Sequence, residues 1–350
     1  MDKNGNSIMR APTFITEKNK CLILAVNYFD KIQKFLKNEF VEGIRKSKWK
    51  CVFVNAYPEF EVFFPNRIEL EIALLNSSTQ IHILTSAGGE NNELHNGGTY
   101  INTIYHYNPL YWLHHTHNNF YKLNAKYLNN RIDINPSYLV TSLNASPHRH
   151  RCLLLDNLHK RNLLNNNNFS WTQLSTKFEQ NYKFKYWEEK ITEIDEHFIT
   201  SNHHYANVPK SQFESVFNVV SETTRDTLFW TEKTFIPIAM GKPFILVGAK
   251  NINRELTKFG FKLYDEVIDY SKFDDYLDYN YRVDGLCAEL DRLNNSKNFK
   301  KMISVLEPTI IHNYNTFHSL YKSSKLENLS FFKLANSYGI TLNDFGHFVD

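Results

Sequence analysis

The chain has 350 residues, of which 42% are hydrophobic, so it is long enough for two cores of ordinary size. Its 40 basic and 37 acidic residues give a formal charge of +3, which is too small an excess to indicate a nucleic-acid-binding domain. The four cysteines are widely spaced and show no zinc or disulfide pattern. We expect them to be buried free thiols in a reducing compartment.

The amino-terminal segment is polar and lacks the apolar stretch of a signal peptide. No apolar run approaches the roughly 20 residues that a helix needs to cross a bilayer. We therefore expect no transmembrane segment and a cytoplasmic location, which would be the host cytoplasm if the chain is viral or from a phage.

Residues 1–135 alternate between strand and helix patterns. Three short apolar runs predict buried strands: 21–26, 51–54 and 81–84. The segments 29–44 and 68–75 have the spacing of helices with one apolar face. Strands that alternate with helices pair in parallel, with helices on both faces of the sheet. In such sheets, ligands bind beyond the carboxyl ends of the strands.

Residues 91–123 are rich in His, Asn, Tyr and Trp and match no element pattern. Five histidines fall in this stretch: His95, His106, His114, His115 and His117. The group from His114 to His117 lacks the i, i+4 spacing of a helical zinc site and has no close acidic partner. We therefore predict polar packing here and no metal site.

The polar segment 129–136 ends in proline and is the predicted boundary between a first domain at 1–135 and a second domain at 136–350. Four segments of the second domain have strand or strand-like patterns: 138–141, 216–220, 243–248 and 263–268. Residues 152–158 and most of 276–321 have helix patterns, and the asparagine run 165–168 is predicted to be a surface loop. The sequence therefore predicts an α/β protein with two Rossmann-like domains that face each other across a cleft.

The segment 221–248 carries the most specific functional pattern. A strand ends in Ser-Glu, a polar loop follows, Thr231-Glu232-Lys233 opens a helix, and a Gly-Lys-Pro turn leads into the next strand. Thr231 is a suitable N-cap, and a helix start binds anions because its N–H groups lack intrahelical partners. A lysine there suits a diphosphate, and a carboxylate suits a ribose diol. The alternatives are an ordinary first-turn acid at Glu232 and a solvated side chain at Lys233.

A second basic segment, 142–151, directly follows the strand at 138–141. Arginine in a strand-to-helix loop is well suited to bind phosphate through two parallel hydrogen bonds. Arg149 and Arg151 both occupy such a position. The alternative is an exposed arginine on a basic loop.

Together these segments resemble the donor-binding domain of the alpha-1,3-fucosyltransferases and their phage and viral relatives. That family has a Phe-Glu-Asn-Ser block, a Tyr-Val-Thr-Glu-Lys block and a Pro-Val-Val-Leu-Gly strand. Residues 220–223 (Val-Ser-Glu-Thr), 229–233 (Phe-Trp-Thr-Glu-Lys) and 243–248 (Pro-Phe-Ile-Leu-Val-Gly) follow in the same order. The loop from Asn144 to Arg151 is similar to the family's Ser-Asn…Arg motif. The resemblance covers roughly residues 137–275.

The resemblance implies a glycosyltransferase of the GT-B type. Such an enzyme moves a sugar from a nucleotide-diphosphate donor to an acceptor hydroxyl, here with inversion and without a tightly bound cofactor or metal. Six residues are expected in the donor site: Asn144, Arg151, Glu222, Thr231, Glu232 and Lys233. Glu232 would bind the ribose, Lys233 and Arg151 the diphosphate, and Glu222 would line the nucleotide pocket. A GDP-sugar is one such donor, but Thr223 replaces the family's asparagine, so the resemblance leaves the nucleotide and the sugar open.

An acceptor hydroxyl needs a general base, which we expect the first domain to supply. Glu90 follows the third predicted strand and is the first candidate for this catalytic residue, and Glu59 is the second by the same positional logic. The alternative for each is a solvated loop carboxylate.

Two other functions remain open at this point. One keeps the donor and transfers the sugar to a modified base in phage DNA, which would need a basic groove and base flipping. The other is a non-catalytic module that binds a nucleotide or a glycan. The favoured partners are a nucleotide sugar and a glycan or other hydroxyl-bearing acceptor, with DNA as the less favoured acceptor.

Overall fold

A computed structural model of the chain describes residues 14–26, 35–56, 67–85, 101–117, 136–144, 147–172, 174–175, 182–192, 210–225, 227–296, 298–323 and 329–345. These residues form an α/β protein with two sheets. Within these ranges, no helix has the length and apolar character needed to cross a membrane.

The strands are β1 Phe14–Lys18, β2 Cys21–Val26, β3 Cys51–Ala56, β4 Gln80–Thr85, β5 Thr103–Tyr107, β6 Tyr138–Asn144, β7 Asn168–Trp171, β8 Ser215–Ser221 and β9 Phe244–Val247. The α-helices are α1 Val41–Arg45, α2 Arg67–Leu75, α3 Tyr111–Thr116, α4 Arg149–Lys160, α5 Glu232–Ala239, α6 Ile252–Glu255, α7 Tyr279–Ser296, α8 Phe299–Ser323 and α9 Ser330–Ser337. A π-helical turn at Leu36–Phe40 precedes α1, and 3₁₀ turns lie at Leu164–Asn166, Lys210–Gln212, Leu256–Phe259, Tyr270–Lys272 and Leu342–Phe345.

The chain divides into two compact units. The first combines Met1–Tyr111 with Ser324–Asp350, and the second is Trp112–Ser323. The division therefore comes earlier than the predicted boundary between 135 and 136, which lies beside residues outside the described ranges. The carboxyl-terminal segment, which the sequence assigned to the second domain, belongs to the first unit.

The sheet of the first unit has the order β1-β2-β3-β4-β5. Strands β2 to β5 are parallel, as the alternating pattern predicted, and β1 pairs antiparallel with β2. The β1–β2 turn is formed by Asn19 and Lys20, which have φ values of 53° and 59°, as in the two-residue turns that fit the twist of a hairpin.

One face of this sheet packs against α1 and α2. The two helices share a core with strand residues that point to the same side, including Leu22, Val52 and Ile81. The parallel strands follow one another in chain order, and right-handed crossovers then place the connecting helices on one face. The helix predicted for the second face is not one of the described crossover helices.

The opposite face packs against the end of the chain. The ring of Phe53 contacts the rings of Phe331, Tyr338 and Phe345 at centroid distances of 5.7, 5.9 and 6.4 Å. Because a parallel sheet must bury both faces, α9 and the turn that follows it supply the second layer.

The sheet of the second unit is entirely parallel and has the order β7-β6-β8-β9. The chain therefore leaves β6 toward one edge to form β7 and then crosses to the other side of β6 to form β8. The order reverses between β6 and β8, and this reversal is the topological switch point of the sheet.

Two predictions for the second unit were wrong. Residues 263–268 form no strand, because the carbonyl of Tyr264 accepts hydrogen bonds from the N–H groups of Val267 and Ile268 and closes a turn. The asparagine run does not end as a surface loop, because Asn168 begins β7 and pairs with Thr141 of β6. Helix α5 contains Pro237 and ends two residues later, at Ala239.

Phe331 tests the role of the carboxyl-terminal layer, because its side chain is fully buried. Removal of a buried phenylalanine ring costs about 3–5 kcal/mol. Phe331→Ala should therefore speed hydrogen exchange of the β3 and β4 amides roughly 100-fold or more, whereas the amides of β6 and β8 should keep their protection. Lys333→Ala, at an exposed position of the same helix, is the matched control. Unchanged exchange in Phe331→Ala would contradict this description of the first unit.

Candidate functional site

The switch point of the second sheet brings two loops together. Strand β6 ends at Asn144 and leads into α4, and β8 ends at Ser221 and leads into α5. Because β6 and β8 are parallel neighbours, the starts of α4 and α5 lie at the same edge of the sheet. Ligands of open α/β sheets bind at this kind of position, and all six predicted donor-site residues lie there.

Glu222 caps the start of α5. Its Oε1 accepts the backbone N–H of Thr231 at 2.9 Å and the hydroxyl of Thr234, and its Oε2 accepts the hydroxyl of Thr231 at 2.7 Å. The side chain is completely buried. Glu222 therefore holds the start of α5 in place, and its expected position beside the nucleotide stays a prediction.

Thr231 is the N-cap of α5, as predicted, and its hydroxyl accepts the backbone N–H of Lys233 at 3.2 Å. The Lys233 ammonium lies 3.3 Å from the same hydroxyl and 2.6 Å from Oε1 of Glu232. Glu232 is buried, but the side chain of Lys233 is 31% exposed. Lys233 is therefore the member of this group that a ligand can reach.

Two carboxylates, those of Glu222 and Glu232, thus lie at the start of α5. Negative groups are what the positive end of a helix dipole favours. The first-turn N–H of Lys233 and the N–H of Thr231 already have oxygen partners. Acidic side chains of the protein itself therefore occupy this helix end, and an anion site at Thr231 stays a prediction.

The start of α4 has the opposite character. Its first turn contains Arg149, His150 and Arg151 and no acidic residue, and the side chain of its N-cap residue, His148, makes no capping hydrogen bond. Cations at a helix start are unfavourable by about 0.3–1 kcal/mol each when exposed. An anion bound here would remove this cost, because the start of a helix attracts negative charge.

Contacts with the end of β8 fix this helix start. The Nε2 atom of His150 lies 2.8 Å from the carbonyl oxygen of Glu222, and Nη2 of Arg151 donates to the carbonyl oxygen of Ser221 at 3.4 Å. Burial, together with the charges of Arg151 and His148 and Arg225, lowers the pKa of His150 to about 3, although the Glu222 carbonyl opposes the shift. His150 is therefore neutral at physiological pH and donates an N–H to that carbonyl.

His148 connects the two helix starts electrostatically. Burial lowers its pKa to about 4, and the positive charges of Arg151 and Lys233 contribute to the shift. Both charges therefore lie within electrostatic range of a single imidazole.

Buried polar atoms that could each make a further hydrogen bond lie at the ends of the two central strands. Oδ1 of Asn144 and Oγ of Ser221 have no hydrogen-bond partner in the structure, and the two residues are only 1% and 5% exposed. Both lie three positions beyond the paired residues Thr141 and Asn218. Buried polar atoms without a partner are costly, and a ligand hydroxyl at this edge of the sheet would remove that cost.

Two further arginines flank the site, and the sequence reasoning had not selected them. Arg225 lies in the β8–α5 loop, and its carbonyl oxygen accepts a hydrogen bond from Nη2 of Arg282 in α7 at 3.0 Å. Tyr279 of α7 packs against the ring of His150. The basic segment with Arg149 and Arg151 was selected from the sequence, whereas Arg225 and Arg282 lie in other parts of the chain and belong to no motif.

Other predicted residues lie elsewhere. Glu90 and Glu59 are outside the described residues, so the choice of general base stays a prediction. His106 contacts His82 and Ser330 in the first unit, and His117 stacks on Tyr321 in the second. Among the residues that the structure describes, no cluster of three or more metal-binding side chains occurs, and the absence of a metal from the mechanism stays a prediction.

Burial raises the pKa of Glu222, although the charge of Lys233 and the hydrogen bonds from Thr231 and Thr234 oppose the shift. A raised folded-state pKa means that the folded protein holds the proton more tightly. The resulting stabilisation is present below the unfolded-state pKa and is lost as the pH rises through the folded-state pKa. Wild type should therefore lose stability relative to Glu222→Gln as the pH rises above about 4.5.

Urea denaturation of both proteins between pH 4.5 and the neutral range measures this difference, and each unit of pKa difference corresponds to about 1.4 kcal/mol. Glu188→Gln, at an exposed position in the same unit, should follow wild type at every pH. A stability difference between wild type and Glu222→Gln that does not change with pH would show that the folded-state pKa is not raised.

The chain was compared with known proteins at the level of sequence. No model of a known family matches it, and no curated protein matches it. The chemistry of the site therefore rests on the residues described above.

Proposed function

We propose that the second unit binds the diphosphate of a nucleotide sugar at the start of α4, and that the protein is a glycosyltransferase. The observation that carries the proposal is the position of Arg151 and Lys233, which come from two loops and act on the same imidazole at the switch point of a parallel sheet. A diphosphate is the common ligand that needs two cations and free backbone N–H groups together.

The leaving diphosphate gains negative charge as the glycosidic bond breaks. Arg151, Lys233 and the positive end of α4 would stabilise that charge, and they are held in place before the reaction by the contacts to β8 and by Glu232. Oδ1 of Asn144 supplies a buried acceptor for a donor hydroxyl. Thr231 acts indirectly, because its hydroxyl positions the backbone and the ammonium of Lys233.

The proposal includes three elements that rest on the resemblance to the alpha-1,3-fucosyltransferases. These are the GT-B arrangement of two Rossmann-like domains, inversion at the sugar carbon, and a general base from the first unit, for which Glu90 is the first candidate. A ribose contact by Glu232 belongs here as well. It requires the buried carboxylate to turn away from Lys233, because the two groups are 2.6 Å apart.

The direct test is a thermal-shift screen of the whole chain with UDP-, GDP-, dTDP-, ADP- and CMP-sugars, because a ligand that binds only the folded state raises its apparent stability. Wild type should be stabilised by at least one nucleotide-diphosphate sugar. Lys233→Ala should bind the same compound about 10- to 100-fold more weakly, since a hydrogen bond to a charged group contributes about 1.5–3 kcal/mol. Lys301→Ala, at an exposed position of α8, should bind like wild type.

The compound that binds is then supplied to the enzyme with a glycan acceptor or with duplex DNA. Transfer to the glycan supports the favoured acceptor, and transfer to DNA with a steep dependence on salt supports the DNA-modifying alternative. Binding without turnover on any acceptor or water would indicate a non-catalytic module. If no nucleotide sugar raises the melting temperature, the proposal is wrong.

A further inference from the structure

We infer that His148 is a third ligand of the bound diphosphate and that it takes up a proton from solvent as the anion binds. This inference deepens the proposed function and rests on it. Only a proton is added in this step: a neutral imidazole becomes an imidazolium, and one of its N–H groups donates to an oxygen of the ligand.

The geometry places His148 where a third ligand is needed. It is the N-cap residue of α4, its backbone is extended with φ −60° and ψ 143°, and its side chain makes no hydrogen bond to the helix that it caps. An N-cap side chain lies beside the first-turn N–H groups, which are the groups that bind an anion. Only part of the residue is buried.

Neighbouring contacts hold the ring. The imidazoles of His148 and His150 are nearly parallel, with an angle of 5° and a centroid distance of 5.6 Å. His150 is anchored to the carbonyl oxygen of Glu222, and the rings of His150 and Tyr279 meet edge to face at a centroid distance of 6.0 Å. His148 is therefore a partly exposed ring on a buried, hydrogen-bonded support.

The charges around His148 explain why its protonation should depend on the ligand. The titratable and charged residues on the elements around His148 come from four parts of the chain. They are Arg149, His150 and Arg151 of α4, Glu232 and Lys233 of α5, Glu222 and Arg225 of the β8–α5 loop, and Tyr279 and Arg282 of α7. The positive charges of Arg151 and Lys233 add to burial in keeping the pKa of His148 near 4 without a ligand. A diphosphate bound to these two groups would cancel their repulsion, and the pKa of His148 should then rise.

Affinity for the anion should consequently increase as the pH falls, because a group whose pKa is higher in the complex favours binding at low pH. Inorganic pyrophosphate is a suitable probe, since it requires no knowledge of the base or the sugar. Its own titration also changes with pH, so the comparison is made between variants at the same pH.

The experiment measures pyrophosphate affinity at about pH 5 and about pH 7.5 for wild type, His148→Gln and His159→Gln. His159 lies in the last turn of the same helix and is the matched control. Near pH 5 the His148→Gln protein should bind about tenfold more weakly than wild type, near pH 7.5 the difference should disappear, and His159→Gln should follow wild type at both values.

A second measurement follows the imidazole of wild type directly by NMR, with the signal assigned from its loss in His148→Gln. Saturating pyrophosphate should raise the titration midpoint of His148 by about two pH units, from about 4 to about 6, which is the shift that gives the tenfold effect near pH 5. If pyrophosphate binds but the midpoint does not move and His148→Gln binds normally near pH 5, the inference about His148 is wrong and the diphosphate site stands. If pyrophosphate binds at neither pH, the proposed site itself is wrong, and the inference fails with it.

Discussion

The order of the four parallel strands in the second unit determines where its chemistry can occur. Because β7 lies on one side of β6 and β8 on the other, the chain leaves β6 and β8 toward opposite edges of the sheet, and ligands bind at such a reversal. The first sheet has no such reversal among its described parallel strands, which follow chain order. A strand followed by a helix is therefore part of a switch point in the second unit but not among the described strands of the first.

The two helix starts at this position differ in charge, and this difference decides which of them would attract an anion. The start of α5 carries the carboxylates of Glu222 and Glu232, whereas the start of α4 carries Arg149, His150 and Arg151 without an acidic residue. Lys233 belongs to α5, but its partly exposed ammonium acts on His148 of α4. An incoming anion would therefore be attracted to α4 and would meet Lys233 from the opposite loop.

Sequence patterns were sufficient for features that depend on residues close together in the chain. The strands at 21–26 and 81–84, the helix at 68–75 and the N-cap at Thr231 could be predicted because each is specified by periodicity or by a capping side chain. The strand order, the return of α9 to the first sheet and the burial of Glu222 depend on residues far apart, such as Phe53 with Phe331. Those features could not be read from local pattern, because contacts between distant residues are not specified by the sequence on either side of them.

A crystal structure with inorganic pyrophosphate tests the central claim most directly, because the claim is that one anion is shared by Arg151 and Lys233. The expected result is a single pyrophosphate at the start of α4, with oxygens about 2.7–2.9 Å from the guanidinium of Arg151 and the ammonium of Lys233. A pyrophosphate bound by only one of these side chains, or bound elsewhere on the second unit, would contradict the account.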